Sequence, residues 1–229
     1  TPYDCVFLCA ACVDATATVR PAGRLSVNSA ACGGGKLTLE SGLVNAMVRV
    51  AIFFAASAGI VSMSWRSLRN WRCHGFYRFF LFELLAALIL LNFPMWFRDP
   101  LSPRQLASWF LGAASIALAI EGFRLLRLIG RPSSETAVGA NLGFENTTTL
   151  VTVGAYRFIR HPMYASLLAL VWCAYLKNPL TVSSIVLAVS ATSFLIATAV
   201  AEERENLARF GAAYTAYMKR TRRFVPFLF

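Results

Sequence analysis

The stretch "YRFIRHPMY" (156–164) sets Arg157, Arg160 and His161 against Pro162 at the start of an apolar run, and the pair Glu202-Glu203 closes the next apolar run. Proline suits the first turn of a helix and biases the residue before it to extended backbone, so His161 is expected at the mouth of that helix, near its positive end. There the imidazole can bond a ligand without being driven into hydrocarbon. Neighbouring carboxylates can receive an ammonium group or sugar hydroxyls, while a helix start can receive a carboxylate. The chemistry on offer is capture of a small molecule carrying both signs of charge. Taken singly, each motif also has a structural reading: arginines snorkelling at a membrane surface and a solvated helix end. The two apolar runs between them form an out-and-back pair, which brings both motifs to one side.

The elements that must hold these residues are membrane helices. The chain has 229 residues, 57% hydrophobic and only 14% charged, with mean hydropathy +0.57. A soluble domain sits nearer half apolar and a quarter charged. The net charge of +11 lies in short blocks between apolar runs rather than on one basic face, which argues for a multispanning protein and against nucleic acid as a partner. Five apolar stretches stand out: Val48–Met63, Phe76–Trp96, Leu106–Ile120 continuing to about Leu126, Met163–Leu176 and Leu180–Val200. A span needs about 20 residues; the fourth stretch is short. "LKNPL" (176–180) is a tight polar break that makes a helical hairpin of the fourth and fifth. The fold class expected is all-α: an integral membrane helical bundle of about five transmembrane helices with a C-terminal amphipathic cytoplasmic helix. Residues 1–46 read as a poorly ordered extension, a targeting segment or upstream sequence foreign to the natural protein; 47–127 hold membrane helices one to three, and 128–229 the catalytic region.

Loop charges give an orientation. Arg66, Arg69, Arg72 and Arg78, then Arg124, Arg127, Arg131, Arg157 and Arg160, then the basic tail, outnumber Arg49, Arg98, Arg104 and Lys177 on the other side. The rule that basic loops stay inside puts the tail and the long polar loop 128–153 in the cytoplasm. From Ala201 the tail has helical periodicity, with Leu207, Phe210, Tyr214 and Tyr217 in one stripe. It reads as an amphipathic helix on the inner leaflet, started by Glu202 and Glu203 where acids suit the positive end. Cys9 and Cys12 form one CxxC without a nearby histidine, so no metal is assigned. Glu83 and Glu121, near membrane boundaries, are left out of the site.

"GAYRFIRHPMY" (154–164) followed by "AEERENLARFGAAYTAYMKRTRRFVPFLF" (201–229) resembles the isoprenylcysteine carboxyl methyltransferase and phospholipid methyltransferase family of membrane enzymes. The shared pattern is RHPxY, an apolar hairpin, a Glu pair, FGxxYxxY and a basic stretch ending in a Pro-Phe-type terminus. Ala165-Ser166 departs from it where many relatives carry glycine. The resemblance implies S-adenosylmethionine as cofactor, bound by Tyr156, Arg160, His161, Pro162, Tyr164, Glu202 and Glu203, with Arg160, His161 and Glu203 as catalytic residues. It implies a lipophilic acceptor drawn from the membrane, foremost a prenylcysteine-type (lipidated-cysteine) carboxylate, with phospholipid amines and thiols as alternatives; it fixes neither the acceptor nor the oligomeric state. A carboxylate needs only alignment by a cation, for which Arg157, Arg160 or a tail arginine is at hand. An amine or thiol needs a base, His161 or a glutamate. An NADPH-dependent sterol-reductase-like protein and a noncatalytic lipid-binding relative are the competing classes.

Overall fold

The computed structural model describes residues 30–131, 147–178 and 181–225, with side chains from Leu43 onward. Most of the proposed N-terminal extension, residues 132–146 of the polar loop and the terminal 226–229 lie outside the described residues, as do the side chains of Cys5, Cys9, Cys12 and Cys32. The chain divides into two units, Thr1–Asn45 and Ala46–Phe229; the account below concerns the second.

Among the described residues six α-helices follow in order: α1 Ala30–Leu68, α2 His74–Asn92, α3 Pro103–Leu128, α4 Pro162–Leu176, α5 Val182–Phe210 and α6 Ala212–Arg220. Short 3₁₀ turns lie at Phe93–Met95 and Gly154–Arg157. Four helical stretches among the described residues are long and apolar enough to cross a membrane (Leu43–Leu68, His74–Met95, Pro103–Leu128 and Val182–Phe210), and α4 is a shorter apolar helix. This fits a multi-pass integral membrane protein, and the five expected stretches correspond to the first five helices. The bundle is antiparallel, so the starts of α2 and α4 share one end with the ends of α3 and α5.

Within the bundle α4 packs chiefly on α3, and α5 on α2, more extensively than the two hairpin partners pack on each other. Small residues on α3 allow the first pairing, because close backbone approach gives dispersion contacts that lipid cannot replace. A Cβ on Gly122 would stand 2.9 Å from Met163 Cγ, and Ser108 Oγ donates to the Cys173 carbonyl at 2.8 Å. The second pairing buries Leu81, Leu85 and Leu88 in one core with Ala188, Ala191, Leu195 and Ala199, and Phe80 stacks on Phe194 at 5.1 Å. α1 stands apart: its large apolar residues Met47, Ile52, Phe54 and Met63 are exposed, and Ser57 Oγ donates to Glu83 Oε1 across to α2 at 2.9 Å.

The end away from the Arg-His-Pro motif is closed by polar groups that periodicity reads as incidental. Asn92 donates to the Ala174 carbonyl at 2.9 Å and accepts from Ser184 Oγ at 2.9 Å and Asn178 Nδ2 at 3.2 Å. Lys177, read from the sequence as a loop charge, is fully buried; its Nζ lies 3.4 Å from the Trp109 ring centroid and donates to Gln105 Oε1 at 3.1 Å. Gln105 in turn donates to the Met95 and Arg98 carbonyls at 2.9 and 3.0 Å. Buried polar atoms are costly unless partnered, and here each bond joins two different elements.

The tail corrects the sequence reading. α5 runs unbroken through Ala201 to Phe210, so Glu202 and Glu203 lie inside a helix rather than starting one. The break comes at Gly211, whose φ of +53° favours glycine. The stripe is therefore divided between two helices, and Tyr214 and Tyr217 of α6 are buried in the protein rather than laid on lipid. Acids near the expected start mislead because α5 carries its own cap at Thr181, well before Ala201.

Asn92→Leu keeps the apolar volume but strands three partners. It should cost about 1–3 kcal/mol, read as a lower unfolding midpoint in detergent, while ligand binding at the opposite end is retained in the folded fraction.

Candidate functional site

The segment 154–161 is held from three sides before α4 begins. Glu121 on α3 accepts from the Ala155 amide through Oε1 at 2.9 Å. Tyr217 donates its hydroxyl to the Tyr156 carbonyl at 2.7 Å. The tail then runs alongside: Ile159 and Arg222 form an isolated parallel bridge, with the Arg160 amide donating to the Arg222 carbonyl at 2.6 Å and the His161 amide to that of Arg223 at 3.1 Å. Sequence pattern does not reveal this pairing, since a single bridge carries no periodicity. Glu121, left out at the sequence level, therefore positions the segment without belonging to the cavity below. Gly154 belongs to the same device, with φ +59° and a would-be Cβ 2.7 Å from Glu121 Oε1.

The hairpin brings the two motifs together. Glu203 is buried and accepts from Arg160 Nε at 2.8 Å through Oε1, and from Arg223 Nη2 at 2.9 Å through Oε2. His161 Nε2 lies 3.5 Å from Glu203 Oε1, and its Nδ1 3.9 Å from Glu202 Oε2. Arg160 also donates to the carbonyls of Met218 and Thr221. His161 stacks on Tyr164 with ring centroids 5.4 Å apart, and Phe224 covers it at 6.3 Å. Pro162 occupies the first turn of α4 and is fully buried.

Beside this cluster is a cavity of about 260 Å³. Of the expected site residues, Tyr156, Arg160, His161, Tyr164 and Glu202 line it, whereas Pro162 and Glu203 stand behind its wall. Arg157 is exposed and lies over the Phe158 ring at 5.8 Å, away from the cavity. The remaining lining is mixed. Phe82, Ala119, Leu126, Met163 and Leu167 give apolar walls from α2, α3 and α4; Arg78, Asn206, Tyr214 and Tyr217 add polar groups. Burial pushes the phenols of Tyr214 and Tyr217 well above their ordinary range, with the Glu202 carboxylate adding to the effect at Tyr214. Both remain neutral hydroxyls at working pH. Asn206 and Phe210 also line the cavity and are not among the expected site residues; Glu202, Asn206 and Phe210 recur at every fourth residue along α5 and so share one face, offset from the Leu207–Phe210–Tyr214–Tyr217 stripe that the sequence displays.

Gly154→Ala should lower the unfolding midpoint by the equivalent of about 1–3 kcal/mol, because it adds left-handed strain and a clash. Glu121→Gln, which retains an acceptor oxygen, should be milder than Glu121→Leu in the same melt.

Residues 108–212 match the family model for phospholipid methyltransferases. Comparison with curated proteins and with solved structures returns no match. The matched segment holds all of α4 and α5 with the Arg-His-Pro and Glu-Glu motifs that meet at the cavity, and over that segment the chain is similar to phospholipid methyltransferases.

Proposed function

We propose that the protein transfers a methyl group from S-adenosylmethionine to a lipophilic acceptor, foremost the carboxylate of a prenylcysteine-type molecule, at the end of the bundle that faces the cytoplasm. The observation that carries this reading is the cavity itself, polar where α5 and the start of α4 meet and apolar along α2, α3 and α4. Such a division suits a polar donor and a greasy acceptor in one site. The basic loops and tail at that end support the cytoplasmic orientation.

The residues present fit the donor. Glu202 lines the cavity and is part-exposed, so its carboxylate can receive an ammonium group or ribose hydroxyls. Tyr156, Tyr164 and Phe82 offer aromatic surface for a purine. S-Adenosylmethionine, when bound, supplies an electrophilic methyl group on a sulfonium. The chain's part is then to position, to exclude water and to hold charge. Arg160 is fixed by Glu203 and two carbonyls, which makes it a rigid wall rather than a mobile finger. Glu203 emerges as the group that sets this wall, acting through Arg160, Arg223 and His161.

A carboxylate acceptor is nucleophilic as it stands and asks for no base, which agrees with a cavity whose two phenols stay protonated. The description of the matching family supports a second reading, methylation of a phospholipid amine. In that case the amine must shed a proton, and the Glu202–His161 pair is the nearest acceptor.

Calorimetric titration of the detergent-solubilised protein with S-adenosylhomocysteine tests the donor. Saturable binding is expected, and a folded sample that ignores this ligand but binds NADPH would overturn the reading. Glu202→Ala should weaken that binding about tenfold or more with the melt unchanged, the worth of one charge-assisted bond. Glu203→Ala should instead destabilise the fold by about 3–5 kcal/mol, because it leaves Arg160 and Arg223 without their shared carboxylate. With radiolabelled donor and membranes, base-labile label indicates an ester and stable label an amine product.

A further inference from the structure

Another hollow, of about 480 Å³, lies at the same end of the bundle but on the other side of α5. Trp71, Arg72 and Tyr77 line it from the turn before α2 and from the first turn of that helix; Ala197, Val200 and Arg204 line it from α5. On a helix of about 3.6 residues per turn these three α5 positions project from the face opposite Glu202 and Asn206. The α5 wall grades from small apolar side chains at Ala197 and Val200 to a guanidinium at Arg204, one turn on, where the apolar run ends. Trp71 and Tyr77 are the amphipathic rings that settle where a membrane meets water. Both arginines are exposed, and the lining contains no acid. Arg72 lies over the Trp71 ring at 5.2 Å. The residues beside the two arginines fix them against each other. Glu205, next to Arg204, accepts from the His74 amide at 3.0 Å and lies 2.7 Å from His74 Nδ1, and His74 is buried. The turn that carries Arg72 is itself closed by the Cys73 amide donating to the Asn70 carbonyl at 3.2 Å. Two like charges facing one hollow repel, and an anion received by both relieves that repulsion.

We propose that this hollow binds an anionic phospholipid of the surrounding leaflet: Arg72 and Arg204 receive its phosphate, the Trp71 and Tyr77 rings flank its glycerol region, and an acyl chain follows Ala197 and Val200 into the bilayer. Charge complementarity and the grading along α5 together select this occupant. A soluble phosphate would satisfy the arginines but leave the apolar wall bare, and a zwitterionic lipid would bring an ammonium group beside two guanidiniums. The planar fork of arginine matches phosphate oxygens, and a hollow of this size takes a head group with the start of a chain. Anionic lipids concentrate in the cytoplasmic leaflet, the side to which the basic loops assign this end. Arg66 and Arg69, exposed on the preceding stretch, add to the general attraction of an anionic surface without lining the hollow. The lipid bound here is separate from the contents of the cavity beside Glu202, and it ties the turn between α1 and α2 to α5. Its binding does not depend on the reaction proposed for that cavity.

The test uses the full chain in a neutral detergent, titrated calorimetrically with mixed micelles of dioleoylphosphatidylglycerol or dioleoylphosphatidylcholine. The anionic lipid should bind saturably and about tenfold or more tighter than the zwitterionic one, as charge-assisted bonds are worth. The double variant Arg72→Gln/Arg204→Gln should reduce that preference to about twofold or less. Arg66→Gln/Arg69→Gln removes the same charge from outside the hollow and should keep the preference. The single variants Arg72→Gln and Arg204→Gln should each lose part of it, and they decide the point should the double variant not fold. Inorganic phosphate in excess should leave the bound lipid in place. Equal affinity of the parent for the two lipids overturns the proposal whatever the variants do, as does a preference that survives in the folded hollow variants. Loss of the preference in Arg66→Gln/Arg69→Gln to the same extent would reduce it to general surface attraction and overturn the site. Displacement by inorganic phosphate would make the occupant a soluble anion and overturn the lipid.

Discussion

The buried carboxylate of Glu203 is the constraint from which the site follows. It sits within α5 and accepts from Arg160, just ahead of α4, and from Arg223 in the tail, with His161 Nε2 3.5 Å away. Two separate pieces of chain are thus tied to one helix by one residue. A buried ion pair contributes little to stability compared with well-packed apolar groups, yet removing one partner is expensive. The arrangement accordingly sets geometry more than it adds stability. It fixes where the segment 158–161 lies, and the backbone pairing of that segment with 222–223 then follows.

Around this clamp the two ends of the bundle divide their tasks. The far end is closed by neutral amides, hydroxyls and one caged lysine, whose bonds tie the helices and the turns between them together. The near end gathers its charges around a hollow. Small residues on α3 draw α4 in tightly, so the start of α4 is held rigidly against its neighbour. Pre-organisation of this kind is what an in-line transfer between two bound molecules needs.

Much of this was legible in the sequence, and the exceptions have physical causes. Apolar run length located all the helices of the bundle, since hydrocarbon demands internally bonded backbone over a set distance. The out-and-back hairpin brought His161 to Glu202 and Glu203 as expected, because two helices joined by a tight break must return to the same end. What failed was local. Acids read as a helix start although the helix simply continues, and the tyrosines of the stripe read as lipid-facing although both are buried in the protein. Arg78 reads as one of a run of loop arginines; only packing reveals that it is buried at the cavity wall. The roles of Glu121 and the tail backbone depend on contacts between residues dozens of positions apart, and no local pattern encodes those.

The unbroken course of α5 acts as a ruler. From Val182 to Ala201 an upright helix climbs about 30 Å at 1.5 Å per residue, close to the thickness of a bilayer's oily interior, and the next two residues are Glu202 and Glu203. The acids are thus delivered where oil gives way to water. The depth of the cavity is graduated by helix length, so a thicker or thinner host bilayer would tilt the ruler and submerge or lift its marked end.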